Sequence, residues 1–253
     1  MKLNPGRVMP AACLMLSLTF TACKKNSNNN IPTKTVTCSL SGMSTYEGGT
    51  ETTFSIQRDS IGRVLNITTF SGAKVLNQRT FQYNGNRVLL TVKEDYGINE
   101  IDSLILNNRG DIVQLKKHYN NIYHHIPDQI INMEYDVNGR LESFSNQGGY
   151  SSSTIVFQCL WKDGDLISTV SSIDTTYYSY TNKPFSTADG NGINAVLEYG
   201  QPLFKTAHLC SGYYDLDSFA YKYNFDSSGK VSTITATYNG GSTAIDEMNY
   251  TCN

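Results

Sequence analysis

The sequence predicts an all-β protein: an antiparallel meander of hairpin repeats, curled into a sheet or barrel-like body of roughly twelve to fifteen strands. Three observations carry this expectation. A turn signature recurs along the chain, hydrophobicity alternates with period two between the turns, and no window has the spacing of a long amphipathic helix.

The turns come first because they are the most specific. Alternating apolar or aromatic runs end in Asp59-Ser-Ile-Gly62, Asp136-Val-Asn-Gly139 and Asp226-Ser-Ser-Gly229, each followed by a basic and an aliphatic residue. Asn107-Asn-Arg-Gly110 carries the same pattern with Asn. The first side chain can accept a hydrogen bond from the backbone two residues on. Glycine at the fourth position supplies the positive φ of a type I turn closed by a bulge. Asn84-Gly85 and Asp163-Gly164 read as two-residue type I′ turns, with both residues at positive φ. The turn glycines Gly62, Gly85, Gly110, Gly139, Gly164 and Gly229 recur at about 25-residue spacing until a long gap before the last. That gap is expected to hold one or two divergent units around residues 189–192 and 199–200.

Between turns, Val88, Leu90 and Val92 share one face opposite Leu89, Thr91 and Lys93, and Tyr221 and Tyr223 oppose Lys222 and Asn224. Residues 231–238 are rich in β-branched side chains, which favour strands. The one helical candidate is a short turn over Ile193–Tyr199.

Composition agrees. The 253 residues are 39% hydrophobic, 17% charged and 11% aromatic, with 20 Lys+Arg against 22 Asp+Glu and a net charge of −2. Nucleic-acid binding would need a basic surplus that is missing, so no nucleic-acid partner is expected. The aromatic content speaks against wholesale disorder. Residues 34–253 are expected to form a single all-β repeat domain.

Residues 1–22 read as a lipoprotein signal peptide. Lys2 and Arg7 precede the apolar stretch from Ala11 to Ala22, which is too short to span a bilayer. Phe20-Thr-Ala-Cys23 resembles a bacterial lipobox with Phe20 where Leu is usual. The resemblance implies lipid attachment at Cys23 and cleavage before it, and two or more acyl chains anchor stably. Residues 23–33 are then a lipidated Cys and flexible tether, with Lys24 and Lys25 followed by Asn and Ser. The expected partner is the membrane, and the expected address is the bacterial envelope at the outer membrane, with the periplasmic face favoured because Lys24 and Lys25 occupy the place of an acidic export tag.

Of six cysteines, Cys13 leaves with the signal and Cys23 is the lipid site, so Cys38, Cys159, Cys210 and Cys252 remain. Four cysteines in an oxidising compartment permit three connectivities. If the sheet closes, its first and last strands become neighbours, which favours Cys38–Cys252 and Cys159–Cys210.

Residues 134–141, Glu-Tyr-Asp-Val-Asn-Gly-Arg-Leu, resemble the YD repeat of bacterial Rhs-type and teneurin-type shells. Together with Asn182-Lys-Pro-Phe185, the repeat at 221–229 and Tyr250-Thr-Cys252, the arrangement is similar to a Bacteroidota lipoprotein family of unknown function with a porin-like fold. The resemblance implies a curled antiparallel sheet or barrel over about residues 34–253 and no catalytic residue.

Chemistry is sparse. His118 and His124 have even spacing and with Asp128 or Glu134 form a metal candidate, but no fixed-spacing ligand motif is present and no metal or other cofactor is expected. Asp189-Gly-Asn-Gly192 has the start of a calcium loop and fails at its fifth and sixth positions, so it reads as a turn. Three Asp-Ser/Thr strings, at 59–61, 102–104 and 174–176, match an O-glycosylation acceptor and also plain turns. Tyrosines 177, 178, 180, 213, 214, 221 and 223 serve either as an aromatic platform for a glycan or as cross-strand packing, with packing favoured. The leading expectation is a noncatalytic, membrane-anchored binding or scaffold module with a glycan, small-molecule or envelope-protein partner. The alternatives are a barrel-like carrier of a small apolar or glycan ligand and, last, a carboxylate-based hydrolase.

Overall fold

The computed structural model describes residues 38–95, 99–120, 128–148, 151–190, 192–215, 217–239 and 241–252. The residues expected to form the signal and tether, with Cys13 and Cys23, and His124 and His125 lie outside these described residues.

The strands are β1 (Cys38–Glu47), β2 (Thr50–Arg58), β3 (Val64–Ser71), β4 (Lys74–Asn84), β5 (Arg87–Glu94) and β6 (Asn99–Leu106). They continue with β7 (Ile112–Lys117), β8 (Tyr119–Asn120), β9 (Gln129–Tyr135), β10 (Leu141–Gly148), β11 (Ser151–Lys162) and β12 (Asp165–Val170). After β13 (Thr175–Pro184) comes the helix α1 (Ile193–Tyr199), then β14 (His208–Tyr214), β15 (Ser218–Phe225), β16 (Val231–Tyr238) and β17 (Ser242–Cys252). Successive strands pair antiparallel, and β1 pairs with both β2 and β17, so the sheet closes into a barrel of 16 strands. The remaining strand, β8, has two residues and continues the β7 edge along β6.

The strand number exceeds the sequence expectation because several connections lack the Asp-x-x-Gly or Asn-Gly signature, and two of them have no glycine. Between β12 and β13 the Ser171 hydroxyl accepts the Ile173 and Asp174 amides, and between β14 and β15 Asp215 accepts the Asp217 amide. The β12–β13 turn reverses the chain without a residue at positive φ.

The four-residue turns have the geometry their chemistry predicts. Asp59 Oδ1 accepts the amides of Ile61 and Arg63, while the Gly62 amide donates to the Asp59 carbonyl. Asn107, Asp136 and Asp226 repeat this pattern. A register shift follows each turn, as an added bulge residue requires. Asp163 and Gly164 both take positive φ, 52° and 89°, and form the expected type I′ turn. The other short turn is shifted by one residue from the expectation. Asn84 pairs with Arg87, which leaves Gly85-Asn86 at the tip, and only Gly85 has positive φ, 59°. That is the type II′ pattern, in which glycine occupies the first central position and Asn84 stays in the ladder.

Because every connection reverses direction, alternate turns lie at opposite ends of the barrel. All six turn glycines therefore fall at one end, here the turn end, together with Cys38, Cys252 and both ends of the 185–207 connection.

This connection is not a divergent hairpin, as the long glycine gap led the sequence reading to expect. It turns inward, and Ala188, Ile193, Val196 and Leu197 join the same apolar core as Leu40, Ile67, Leu90, Leu115, Leu141, Leu166, Leu209 and Ile234 from around the ring. The run Ile193-Asn-Ala-Val-Leu places its apolar residues on one helical stripe, which the barrel interior buries. Gly200 ends α1 at φ 78° and donates to the Val196 carbonyl. A Cβ there would stand 3.2 Å from the Phe81 ring and 3.3 Å from Val64.

The cysteines divide. Cys38 and Cys252 are bonded across the β1–β17 seam, where they are register partners. The Cys159–Cys210 bond is absent: both thiols are free and buried. Cys159 lies on β11 and Cys210 on β14, with two strands between them, a separation of about 14 Å along the wall at the usual strand spacing. Disulfides need Cα atoms within about 7 Å. Burial pushes both thiols up to about 12, which keeps them protonated and unreactive.

Candidate functional site

At the turn end, between the barrel wall and the C-terminal end of α1, lies a cavity of about 290 Å³. Its walls are apolar, built from the inward positions of β3, β5 and β6 (Val64, Val88, Leu104, Leu106) and from Val196 of α1. Its polar groups include Arg58 and Tyr83, the last inward residues before two turns, beside Arg63, Thr187, Tyr199 and Gln201.

Arg58 is half-buried. Its Nε donates to the Leu40 carbonyl at 3.3 Å and its Nη1 to the Gly62 carbonyl at 2.9 Å, and it has no carboxylate partner among the described residues. Burial holds its pKa below the usual guanidinium value. The neighbouring Arg63 differs: its Nε pairs with Asp59 at 2.7 Å, and its guanidinium lies 4.4 Å over the Tyr83 ring. Burial raises the Tyr83 phenol, and its hydroxyl makes no hydrogen bond among the described residues.

A second polar region lies on the inner wall. Asp102, 2% exposed, shares the inward face of β6 with Glu100 and Leu104, and accepts the His118 amide at 3.3 Å. Burial first and the adjacent Glu100 second raise its carboxyl to about 7 against the attraction of Lys117. A carboxyl raised this far keeps its proton up to near-neutral pH, where it hydrogen-bonds to Glu100. Lys117 ion-pairs with Glu198 of α1, and Lys205 pairs with the buried Asp111 at 2.6 Å, so two cations of opposite origin join the inner segment to the wall. Asp102 and Glu100 do not line the mouth cavity.

The sequence-predicted candidates are distributed as follows. His118 Nδ1 lies 2.6 Å from Asp128, whose other oxygen holds Lys116 at 2.8 Å; Glu134 instead accepts the Ser143 hydroxyl. Among the described residues no group of three metal-ligating side chains assembles. Asp189 is buried and turned to backbone work: one carboxylate oxygen accepts the Gly192 amide at 3.0 Å and the other the Cys210 amide at 2.6 Å. This local network starts α1 and docks it on β14. His208 is held by Asp165 through both its amide and its ring.

The tyrosines mostly pack. Tyr83, Tyr135, Tyr221 and Tyr223 lie against the core, and the Tyr135, Tyr180 and Tyr250 hydroxyls donate to the carbonyls of Ile112, Leu166 and Val231. Tyr177 and Tyr214 are exposed register partners stacked at 5.1 Å, so each ring face is half covered by the other. Of the Asp-Ser/Thr strings, Ser60 is exposed in a turn and Ser103 on a strand exterior, while Thr175 is partly covered.

Sequence reading missed Arg58, and it named Asp102 only within an Asp-Ser string, not as a buried carboxyl. Alternation held the only signal: both occupy inward parity positions, Arg58 two residues after buried Ile56 and Asp102 two before buried Leu104.

No family model matches the chain, and no curated protein sequence matches it. The fold has solved counterparts. A porin-like protein from Bacteroides uniformis aligns with a TM-score of 0.57 at 15% identity, over 85% of this chain and 96% of that one. A porin-like protein from Bacteroides vulgatus aligns with a TM-score of 0.52 at 12% identity, over 84% and 98%. At this identity the likeness is one of fold: this chain is a closed antiparallel barrel similar to those porin-like proteins.

Proposed function

We propose that this protein is a lipid-anchored envelope lipoprotein whose barrel serves as a noncatalytic binding or scaffold module, attached through Cys23 at the outer membrane. The observation that carries this reading is the filled interior. Side chains from the whole ring and from the 185–207 segment meet in one apolar core, where barrels of this strand number that conduct keep a wide aqueous lumen. The outer wall supports attachment to a bilayer rather than passage through it. Its exposed positions include Gln78 and Gln82 on β4, Lys222 and Asn224 on β15, and Glu247 and Asn249 on β17. A spanning barrel presents an apolar band about 25 Å tall there, and charges within it cost about 2–4 kcal/mol each at the midplane.

The lipobox-like Phe20-Thr-Ala-Cys23 supplies the attachment chemistry, and the periplasmic side is the face its Lys24-Lys25 sequence favours. Replacing Cys23 by Ala in the producing cell should move the protein from the membrane to the soluble envelope fraction and abolish labelling by a radioactive fatty acid. Retention of the variant in the membrane fraction refutes anchoring at Cys23.

The mouth cavity favours a second reading, a carrier of a small ligand, because its apolar walls and few polar groups, Arg58 and Tyr83 among them, have the composition of a binding pocket.

A further inference from the structure

The cavity at the turn end has a chemical preference that its walls define. We propose that it takes a small amphipathic anion, with a carboxylate head at Arg58 and the Tyr83 hydroxyl and a short apolar chain against Val64, Val88, Leu104 and Val196. This deepens the carrier reading and rests on it; it is independent of lipid attachment.

Charge and hydrogen bonding carry the argument. Arg58 is a half-buried cation whose described partners are two neutral carbonyls, those of Leu40 and Gly62. A buried charge without a counter-ion is costly, and an anion placed beside it removes that cost while gaining charge-assisted hydrogen bonds. Arg63, the other cation on the rim, is already neutralised by Asp59 and fixed against Tyr83. It therefore holds the Tyr83 ring in place while Arg58 supplies the charge. The Tyr83 hydroxyl, unoccupied among the described residues, is a second donor at the same mouth.

The rest of the lining includes Arg63, Thr187, Tyr199 and Gln201, and its apolar part consists of side chains almost wholly removed from water: Val64, Val88, Leu104 and Val196 are each at most 3% exposed. An apolar body is what such walls accept. The cavity of about 290 Å³ lies at the small end of ligand pockets, which run from about 300 to 1,000 Å³, so the chain must be short. The C-terminal end of α1 also opens here at Gly200, and its carbonyls repel negative charge. That places the head on the β2–β4 side of the mouth and the chain against α1.

Titration calorimetry on the unacylated Cys23→Ala protein tests the proposal with octanoate, hexanoate, acetate and 1-octanol as probes. Octanoate is expected to bind at least tenfold more tightly than acetate or 1-octanol, and about two- to fourfold per methylene more tightly along the acid series. Arg58→Gln, which keeps an amide to meet the carbonyls, should weaken octanoate at least tenfold and leave 1-octanol unchanged. Tyr83→Phe, which removes one oxygen and keeps the ring under Arg63, should weaken octanoate about threefold, and it serves as the informative variant if Arg58→Gln does not fold. Equal affinity for octanoate and 1-octanol overturns the anion preference while leaving an apolar carrier standing. Absence of binding by all four probes, or octanoate binding indifferent to both substitutions, overturns the site itself.

Discussion

Asp102 offers the most direct test of how the barrel interior is built. Its side chain is 2% exposed on the inner face of β6, and its carboxyl is raised from 3.8 to about 7 by burial first and by Glu100 second. Such a group opposes folding once the unfolded chain can ionise. Below about pH 4 both states hold the proton and there is no penalty; as pH rises towards 7 the unfolded state loses the proton first, so stability falls, and above 7 the full penalty remains. At about 1.36 kcal/mol per pK unit the raised carboxyl sets a ceiling of about 4 kcal/mol, which attraction to Lys117 already moderates. Asp102→Asn mimics the protonated acid: its carbonyl can accept the His118 amide and its amide can donate to Glu100. The variant should be more stable than the parent by about 2–4 kcal/mol at pH 8 and by under about 1 kcal/mol at pH 4. For a domain of this size that is a rise of about 4–16 °C in Tm at pH 8. Urea and thermal unfolding of both proteins at pH 4, 6 and 8 measure it. A stability difference that does not change with pH, or a variant less stable at pH 8, refutes the assignment of Asp102 as a buried proton carrier.

Two further predictions test the closure and the register. Cys252→Ser removes the bond that joins the barrel's first and last strands across a sequence separation of 214, and should cost about 2–4 kcal/mol. Adding a reductant to the parent should reproduce that loss in urea titrations, and a parent indifferent to reductant contradicts the seam. Ala at Gly212 would place its Cβ 2.4 Å from the Phe219 carbonyl of the adjacent strand, whereas Ala at Gly229 meets open space and faces only a positive φ of 82°. Gly212→Ala should therefore cost about 3 kcal/mol or more and Gly229→Ala about 1–2 kcal/mol. Equal unfolding midpoints for the two variants would contradict the β14–β15 pairing.

The parts legible in the sequence are those governed by a few adjacent residues. Asp-x-x-Gly turns are local machines, because the Asp59 carboxylate finds its amide partners two and four residues away whatever the rest of the chain does. Alternation likewise gives the inward faces of β5 and β15 directly. The Asn84-Gly85 turn shows where local reading stops: shifting the tip by one residue exchanges a type I′ for a type II′ turn, and the cross-strand pairing of Asn84 with Arg87 selects between them.

By itself the sequence determined the all-β class and the hairpin repeat, offered a short helical turn at 193–199, and favoured the Cys38–Cys252 seam on condition that the sheet closes. Only the tertiary structure decided what occupies the barrel. The 185–207 segment looks like another divergent hairpin in one dimension, and it turns inward because an apolar helical stripe is better buried in the ring than left in water. The same closure keeps Cys159 and Cys210 apart on separate strands and brings Arg58, Tyr83 and Val196 to one mouth. The mouth joins Val196 to Arg58 and Tyr83 across more than a hundred positions, and contact over such distances is set by how the sheet closes.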